Sequence, residues 1–116
     1  MHNRVKFVFG GVDYDATVTI GHAVAIEAAL GKGVVSLIDP LAKFEAPIAS
    51  ALAIIRIALE KEGVRVTDAS MFDKCAVEGI IQTQVTALRI VNALFVSADS
   101  PKKKGKSGAP LATNTP

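Results

Sequence analysis

The sequence predicts an α+β fold in which an N-terminal two-stranded β-hairpin precedes a mainly α-helical bundle. Three observations predict it. Apolar and polar residues alternate up to residue 20, which is the period of a strand, whereas from residue 48 onward apolar residues recur every three or four positions. Half of the residues are hydrophobic but only 5% are aromatic, which suits helices packed through small aliphatic side chains.

The hairpin is predicted to turn at Gly10-Gly11, because two consecutive glycines suit a two-residue turn with positive φ angles. This turn sets a register that pairs Phe9 with Val12, Phe7 with Tyr14, Val5 with Ala16 and Lys6 with Asp15. One face of the hairpin is then wholly apolar. Because a lone two-stranded hairpin is marginal in water, we expect the following helices to cover that face.

A first helix is predicted over residues 22–30. Thr19 is its expected N-terminal cap, and Gly31 is expected to end it in a left-handed conformation. His22 is expected to lie exposed in the first turn, and Glu27 is expected to face solvent. Tyr14, on the preceding strand, is interpreted as part of the hairpin core rather than as a contact for a partner.

The middle of the chain contains two prolines that mark boundaries. Residues 34–38 are interpreted as a short helical turn or an irregular segment, because Pro40 lacks a backbone donor and restricts the residue before it. Pro47 suits the first position of a second long helix that continues until Gly63. This helix is apolar on more than one side, so we expect it to be central or to have a second covered face.

Two more helices are predicted towards the C-terminus. Thr67 is a good cap for a helix over residues 68–77, and Gly79 is expected to break it. An amphipathic helix over residues 81–98 follows, and Pro101 prevents its continuation.

The C-terminal segment has a different composition from the rest. Residues 1–98 hold nine Lys and Arg against ten Asp and Glu, whereas residues 99–116 hold four Lys against Asp99. The segment is dominated by Gly, Pro, Ser, Thr, Asn and Lys, so it is predicted to be disordered. We therefore divide the chain into a folded domain, residues 1–98, and a basic tail, residues 99–116.

Several function classes are excluded or disfavoured by the composition. Arg56 and Arg89 interrupt the two most apolar stretches, so no membrane span is predicted. The N-terminus lacks the pattern of a signal peptide, and the single Cys75 excludes an internal disulfide, which together indicate the cytoplasm. The tail has no aromatic residue to stack on bases, so nucleic-acid binding is disfavoured.

The inventory of reactive side chains is poor. Besides Cys75, the usual donors and nucleophiles are limited to His2 and His22. Cys75 is interpreted as a buried core thiol, and Asp13 with Asp15 as a solvated strand face. We therefore predict a protein that is not an enzyme and has no catalytic, cofactor-binding or metal-binding residues.

The apolar excess of the helix over residues 48–59 indicates a protein partner or self-association, because a small monomer has difficulty covering both sides of such a helix. The side chains predicted to contact a partner are Ile54, Ile57, Ala58, Ile81, Val85, Leu88 and Phe95. Core packing explains these residues equally well.

Several short motifs occur in a characteristic order. They are Gly11-Val12-Asp13-Tyr14 on the hairpin, Thr19 followed by Ile26-Glu27-Ala28-Ala29-Leu30-Gly31, a long aliphatic helix, Val66-Thr67-Asp68 at a helix start, and a last amphipathic helix. In this order and spacing, residues 4–98 resemble the small tail assembly chaperones of long-tailed phages and of gene transfer agents. The chain departs from that pattern at Pro40, in residues 39–45 and in its lysine-rich tail.

The resemblance implies a chaperone that binds the tape-measure protein and keeps it soluble while tail-tube subunits assemble around it. Such a protein stays in the host cytoplasm and is absent from the mature virion. The family also implies a programmed frameshift to a longer product that recruits tail components, for which Lys102-Lys103-Lys104 is the candidate slippage point. The alternatives are a ring-forming head-tail connector or tail terminator, and a small nucleic-acid-binding regulator.

Overall fold

The computed structural model describes residues 2–95 of the chain. In this part, a hairpin of two antiparallel strands is followed by five helices. The elements are β1 (His2–Phe9), β2 (Val12–Thr19), α1 (Ile20–Leu30), α2 (Val35–Ala42), α3 (Ile48–Lys61), α4 (Asp68–Glu78) and α5 (Ile80–Ala93). The predicted α+β class is confirmed. The tail predicted for residues 99–116 lies outside the described residues, as do the last three residues of the predicted final helix.

The hairpin has the predicted register, from Phe9 opposite Val12 to Val5 opposite Ala16. Gly10 and Gly11 take φ angles of +63° and +79°, which place both in the left-handed region that this type of turn requires. Most of the apolar face is buried against the helices, principally α5, but Val12 beside the turn remains exposed. The two strands are therefore stabilised by their cover and not by pairing alone.

The turn of the hairpin is seated on α4. A Cβ atom added to Gly10 would lie 2.5 Å from Cγ of Lys74, so only glycine fits between the two elements. The backbone N–H of Gly10 also donates to Oε1 of Glu78 at 3.0 Å. Gly10 is thus required both by its backbone conformation and by this close approach.

Helix α1 has Thr19 as its N-cap and ends at Gly31 in the left-handed conformation, both as predicted, but it begins at Ile20, two residues before the predicted start. The prediction that His22 is exposed is wrong, because its side chain is only 3% exposed. The imidazole turns back towards the start of the helix, where Nδ1 accepts a hydrogen bond from the backbone N–H of Thr19 at 3.0 Å. Capping of the helix therefore places this ring in the interior.

Of the two interpretations of residues 34–38, the helical one is right, but the helix is longer than a short turn because α2 runs through Pro40 to Ala42. Leu37 and Leu41 lie one turn apart and are both buried in the core. Burying two leucines contributes about 3–6 kcal/mol, whereas a proline inside a helix costs about 3 kcal/mol. Tertiary packing therefore outweighs the missing hydrogen bond.

Helix α3 is central, as predicted. It contacts α5 on one side and α1 on another, and also touches β2 and α4. Its apolar surface is wide because several neighbours cover it.

The last two helices meet at Gly79, where the predicted break occurs. Thr67 caps α4 through reciprocal bonds with Ser70, in which each backbone N–H donates to the other residue's hydroxyl oxygen at 3.0–3.1 Å. Helix α5 ends at Ala93, earlier than predicted, because Leu94 and Phe95 bond to carbonyls three residues back.

Candidate functional site

The predicted partner-binding residues do not form one surface. Ile54 and Ala58 are completely buried in the core, so they cannot touch a partner of the folded protein. Both side chains face the helices that surround α3. Their four-residue spacing therefore places them in the core and not on a partner surface. Ile57 is half-buried on the same helix.

The other members of that set lie on or just beyond α5. Val85 and Leu88 are half-buried, while Ile81 and Phe95 are exposed at opposite ends of the helix. Ile81, Val85 and Leu88 follow one another along one side of α5 beside its buried stripe. Their binding of a partner stays a prediction.

A more compact candidate is an uncharged hollow where α3, α4 and the start of α5 meet. It has a volume of about 400 Å³. We call this the apolar hollow, and its lining residues are Ile48, Leu52, Phe72, Cys75, Ala76, Gly79 and Ile80. Phe72 and Ile80 stand 62% and 60% exposed at its edge. Large side chains are left in water at a place where concave apolar surface is available to receive a partner.

Phe72 also lines a second, smaller hollow of about 260 Å³ between α3 and α4. Arg56 lies at its edge, where it pairs with Asp68 at 2.5 Å and with Glu60 at 3.2 Å. Hydrogen bonds to Asp68 and then to Glu60 raise the pKa of Arg56. The guanidinium of Arg56 is therefore already paired within the chain.

Phe72 was not among the residues predicted from the sequence. The buried stripe of α4 passes through Met71 and Cys75, and Phe72 lies one residue off it. A large aromatic residue next to an apolar stripe, rather than in it, is the signal that could have identified it.

A third concave region, of about 530 Å³, lies between the hairpin and α5. We call it the polar trough, and its lining residues are Lys6, Phe7, Val8, Asp13, Tyr14, Asp15, Gln82, Thr86 and Arg89. Arg4 forms an ion pair with Asp15 at 2.6 Å, and Arg89 donates to the carbonyl of Lys6 at 3.3 Å. The lining of the trough carries both positive and negative side chains, and some of them are already bonded within the chain. The trough therefore does not favour a ligand of one sign of charge.

Two residues of the resemblance motifs have structural roles. Tyr14 is half-buried in the hairpin as predicted, with its ring 5.5 Å from that of Phe7 and the Lys74 ammonium 5.9 Å from the ring centre. Glu27 is exposed as predicted, and its carboxylate accepts the backbone N–H of Val34 at 2.9 Å, at the start of α2. Both are satisfied by contacts within the chain.

The titratable groups do not assemble into a reactive cluster. Among residues 2–95, no group of three or more His, Cys, Asp or Glu is placed to hold a metal ion. Cys75 is half-buried rather than fully buried, with Sγ 3.4 Å from Oγ1 of Thr83. Burial, followed by the charge of Lys61, lowers the pKa of His22, whose Nε2 has no hydrogen-bond partner. None of the helices described is long and apolar enough to span a membrane.

Fold and surface together define a small α+β domain with an exposed, uncharged apolar hollow. The family model described as phage tail tube protein, GTA-gp10, matches residues 3–97. The chain therefore belongs to this family of phage and gene transfer agent tail proteins. No curated protein and no solved structure matches the chain significantly.

The family match corrects several predictions made from the resemblance. The general assignment to phage or gene transfer agent tails is confirmed, but the family is a tail tube family and not one of assembly chaperones. The tape-measure chaperone function is therefore wrong, and so is the expected absence from the mature virion, because a tail tube protein is a structural component of the particle. Tail components and further copies of the chain are the partners that the family suggests.

Proposed function

We propose that this protein is a structural subunit of the tail tube of a phage or gene transfer agent. The observation that carries this proposal is the family match over residues 3–97, which includes nearly all of the described fold. In this role the protein acts through its contacts with neighbouring subunits. We propose no catalytic role for it.

The distribution of exposed apolar side chains supports a subunit with neighbours on several sides. Among residues 3–95, six large aliphatic or aromatic side chains are exposed by 60% or more, and they are spread over four helices. They are Ile20 and Val24 on α1, Val35 on α2, Phe72 and Val77 on α4, and Ile80 on α5. Each gains free energy when a neighbour removes it from water.

The partners that we propose are further copies of this chain and the tape-measure protein, around which tail-tube subunits assemble. Neither contact requires a cofactor or a metal ion.

The proposal is tested by locating the protein in purified particles. Particles from the producing cell are separated on a density gradient, and the copy number of this chain is measured by quantitative mass spectrometry against the major capsid protein. We expect many copies to sediment with intact tails and to remain after a high-salt wash. A protein that is abundant in the lysate but missing from the purified tails contradicts the proposal.

A further inference from the structure

We propose that the outer edge of β2 next to the turn, residues 12–15, is a strand-addition site, and we call it the β2 edge. Its partner is an extended segment of a different tail protein, which carries a basic residue beside Asp13 and an apolar residue beside Val12. The segment pairs with β2 as a third strand of the sheet. This contact deepens the proposed function and rests on it for the identity of the neighbours as tail proteins.

The first argument is the pattern of backbone groups along the edge. In an antiparallel pair, the groups of every second residue point away from the partner strand. Next to the turn, the outward groups of β2 belong to Asp13 and Asp15. Within residues 2–95 their N–H and C=O groups have no partner, whereas the N–H of Thr17, further along, is bonded to the carboxylate of Glu62. An extended backbone supplies donors and acceptors at this spacing.

The second argument is the exposed end of the apolar face of the hairpin. Val12 lies on the face that the helices cover, yet it is 43% exposed, and Tyr14 beside it is only half-buried. A third strand continues the sheet on the side away from β1, so one of its side chains lies next to Val12 on that face. An apolar side chain there removes Val12 from water. The edge therefore favours an apolar residue on this face of the segment.

The third argument is charge complementarity on the opposite face. Asp13 and Asp15 are exposed there, two residues apart. Asp15 is paired with Arg4 at 2.6 Å. No ion pair within residues 2–95 includes Asp13, whose neighbour across the hairpin is Val8. A lysine or arginine on the added strand, directly beside Asp13, completes a cross-strand ion pair.

The same carboxylates disfavour a second copy of this chain at the site. Two β2 edges that meet as antiparallel strands use all their outward groups in the register that places Asp13 of one copy opposite Asp15 of the other. Like charges directly opposite each other on a sheet are unfavourable. The edge of β1 is no alternative, because side chains of α5 already bond to its outward carbonyls near the turn. The charge pattern thus favours a basic segment of another protein.

Exchange of amide protons with water, measured by NMR on the isotope-labelled full chain, tests the site. The ligand used is a blocked seven-residue peptide in which valine and lysine alternate, so that one face of its strand is apolar and the other is basic. A few backbone bonds and one apolar contact make a weak complex, with an expected dissociation constant on the order of 100 μM. With peptide at about ten times that concentration, the amides of Asp13 and Asp15 should exchange about tenfold more slowly. The amide of Tyr14, which bonds to β1 with and without peptide, is the internal reference.

A modified peptide and a pair of variants separate backbone pairing from charge. The same peptide with an N-methylated backbone keeps its side chains but loses its donors, so it should not bind. Asp13→Lys replaces attraction with repulsion and should weaken binding of the lysine peptide about tenfold. The matched control Glu45→Lys makes the same charge reversal at an exposed position in the loop between α2 and α3, and it should bind the peptide like the unmodified chain. A peptide with glutamate in place of lysine should instead prefer Asp13→Lys.

Photo-cross-linking in purified tails identifies the occupant of the site. Val12 is replaced by the photoreactive amino acid benzoylphenylalanine in the producing cell, and the products are sequenced by mass spectrometry. We expect Val12 to be joined to one segment of a different tail protein in which a lysine or arginine is next to the joined residue. Products that contain only this chain overturn the proposal, as does the absence of a product.

The exchange data can also contradict the proposal. Slow exchange of Asp13 and Asp15 in the chain alone overturns it, because the edge is then occupied within the chain. A peptide that leaves both amides unprotected overturns it too, as does equal binding of the N-methylated peptide. The location of the protein in particles is measured separately. Absence from tails with a protected edge refutes the tail tube role, whereas presence in tails with an unprotected edge refutes the strand-addition site.

Discussion

The apolar hollow and the polar trough are both concave, but they differ in how their side chains are bonded within the chain. In the trough, Arg89 and Thr86 on α5 donate to the carbonyls of Lys6 and Val8 on β1, at 3.3 and 3.5 Å. In the hollow, large apolar side chains remain in water beside an uncharged lining. The trough therefore holds the hairpin to the helices, whereas the hollow has most to gain from a contact outside the molecule.

The largest effect is expected from the core that supports both regions. Ile54→Ala removes a completely buried side chain from α3 and leaves a cavity. We expect a loss of about 3–4 kcal/mol in the free energy of unfolding, measured by urea denaturation. The control Phe72→Ala removes a larger but exposed side chain and should change stability little. Similar losses for the two variants would contradict the placement of Ile54 in the core.

The next effect concerns the attachment of the hairpin on the trough side. Gly10→Asn keeps a residue type that tolerates positive φ but forces its side chain against Lys74. We expect a loss of roughly 2 kcal/mol in the free energy of unfolding from the displaced contact. Gly11→Asn is the matched control, since a Cβ there meets open space. If both variants are equally stable, the hairpin turn is not seated on α4.

A smaller effect is expected at the hydrogen bond between the turn and α4. Glu78→Ala removes the carboxylate that accepts the backbone N–H of Gly10. Loss of such a charge-assisted bond costs about 1–2 kcal/mol, measured again by urea denaturation. Asp73→Ala, on an exposed part of the same helix, should cost less than half as much. Equal losses would show that the bond to Gly10 contributes nothing.

The smallest effect is a pH dependence of the free energy of unfolding, caused by His22 in the first turn of α1. Its Nε2 atom has no hydrogen-bond partner. His22 is buried with its Nδ1 accepting a bond from the backbone N–H of Thr19, so the fold favours the neutral imidazole. Burial lowers the pKa of His22 from its usual value of 6.5. The unfolded chain therefore binds the proton more readily than the folded chain.

It follows that the contribution of His22 is complete above pH 6.5 and is lost as the pH falls from there to the lower pKa of the folded protein. Urea denaturation at a series of pH values measures this loss. In His22→Gln the side-chain amide oxygen can still accept the bond from Thr19, but the side chain does not titrate. The variant should lack this part of the pH dependence, and an unchanged profile would assign the dependence to other groups.

Local signals predicted much of this fold. The hairpin register followed from alternation and from Gly10-Gly11, and the starts of α1 and α4 followed from Thr19 and Thr67. Each of these features is decided by residues within a few positions of one another. They could therefore be predicted without knowledge of the tertiary contacts.

The misses have different causes. Helix α2 continues through Pro40 because distant residues bury two of its leucines. His22 is buried through a local capping contact, in which its ring accepts a bond from the backbone of Thr19 three residues earlier. The periodic spacing that suggested a partner at Ile54 and Ala58 is the same whether a helix faces the core or another protein. Only the position of α3 among its neighbours separates these cases.

The function predicted by resemblance failed in a similar way, since shared elements indicate a phage tail protein without indicating its role in the tail.

The outer edges of β1 and β2 differ in how their outward backbone N–H and C=O groups are bonded. Side chains of α5 take the outward carbonyls of Lys6 and Val8 on β1, while β2 has its outward N–H at Thr17 bonded to Glu62. Because outward groups recur at every second residue, those of Asp13 and Asp15 lie on the same side of β2, towards the turn. Among residues 2–95, α5 therefore covers the edge of β1 near the turn, whereas the edge of β2 at Asp13 and Asp15 receives no such side-chain bond.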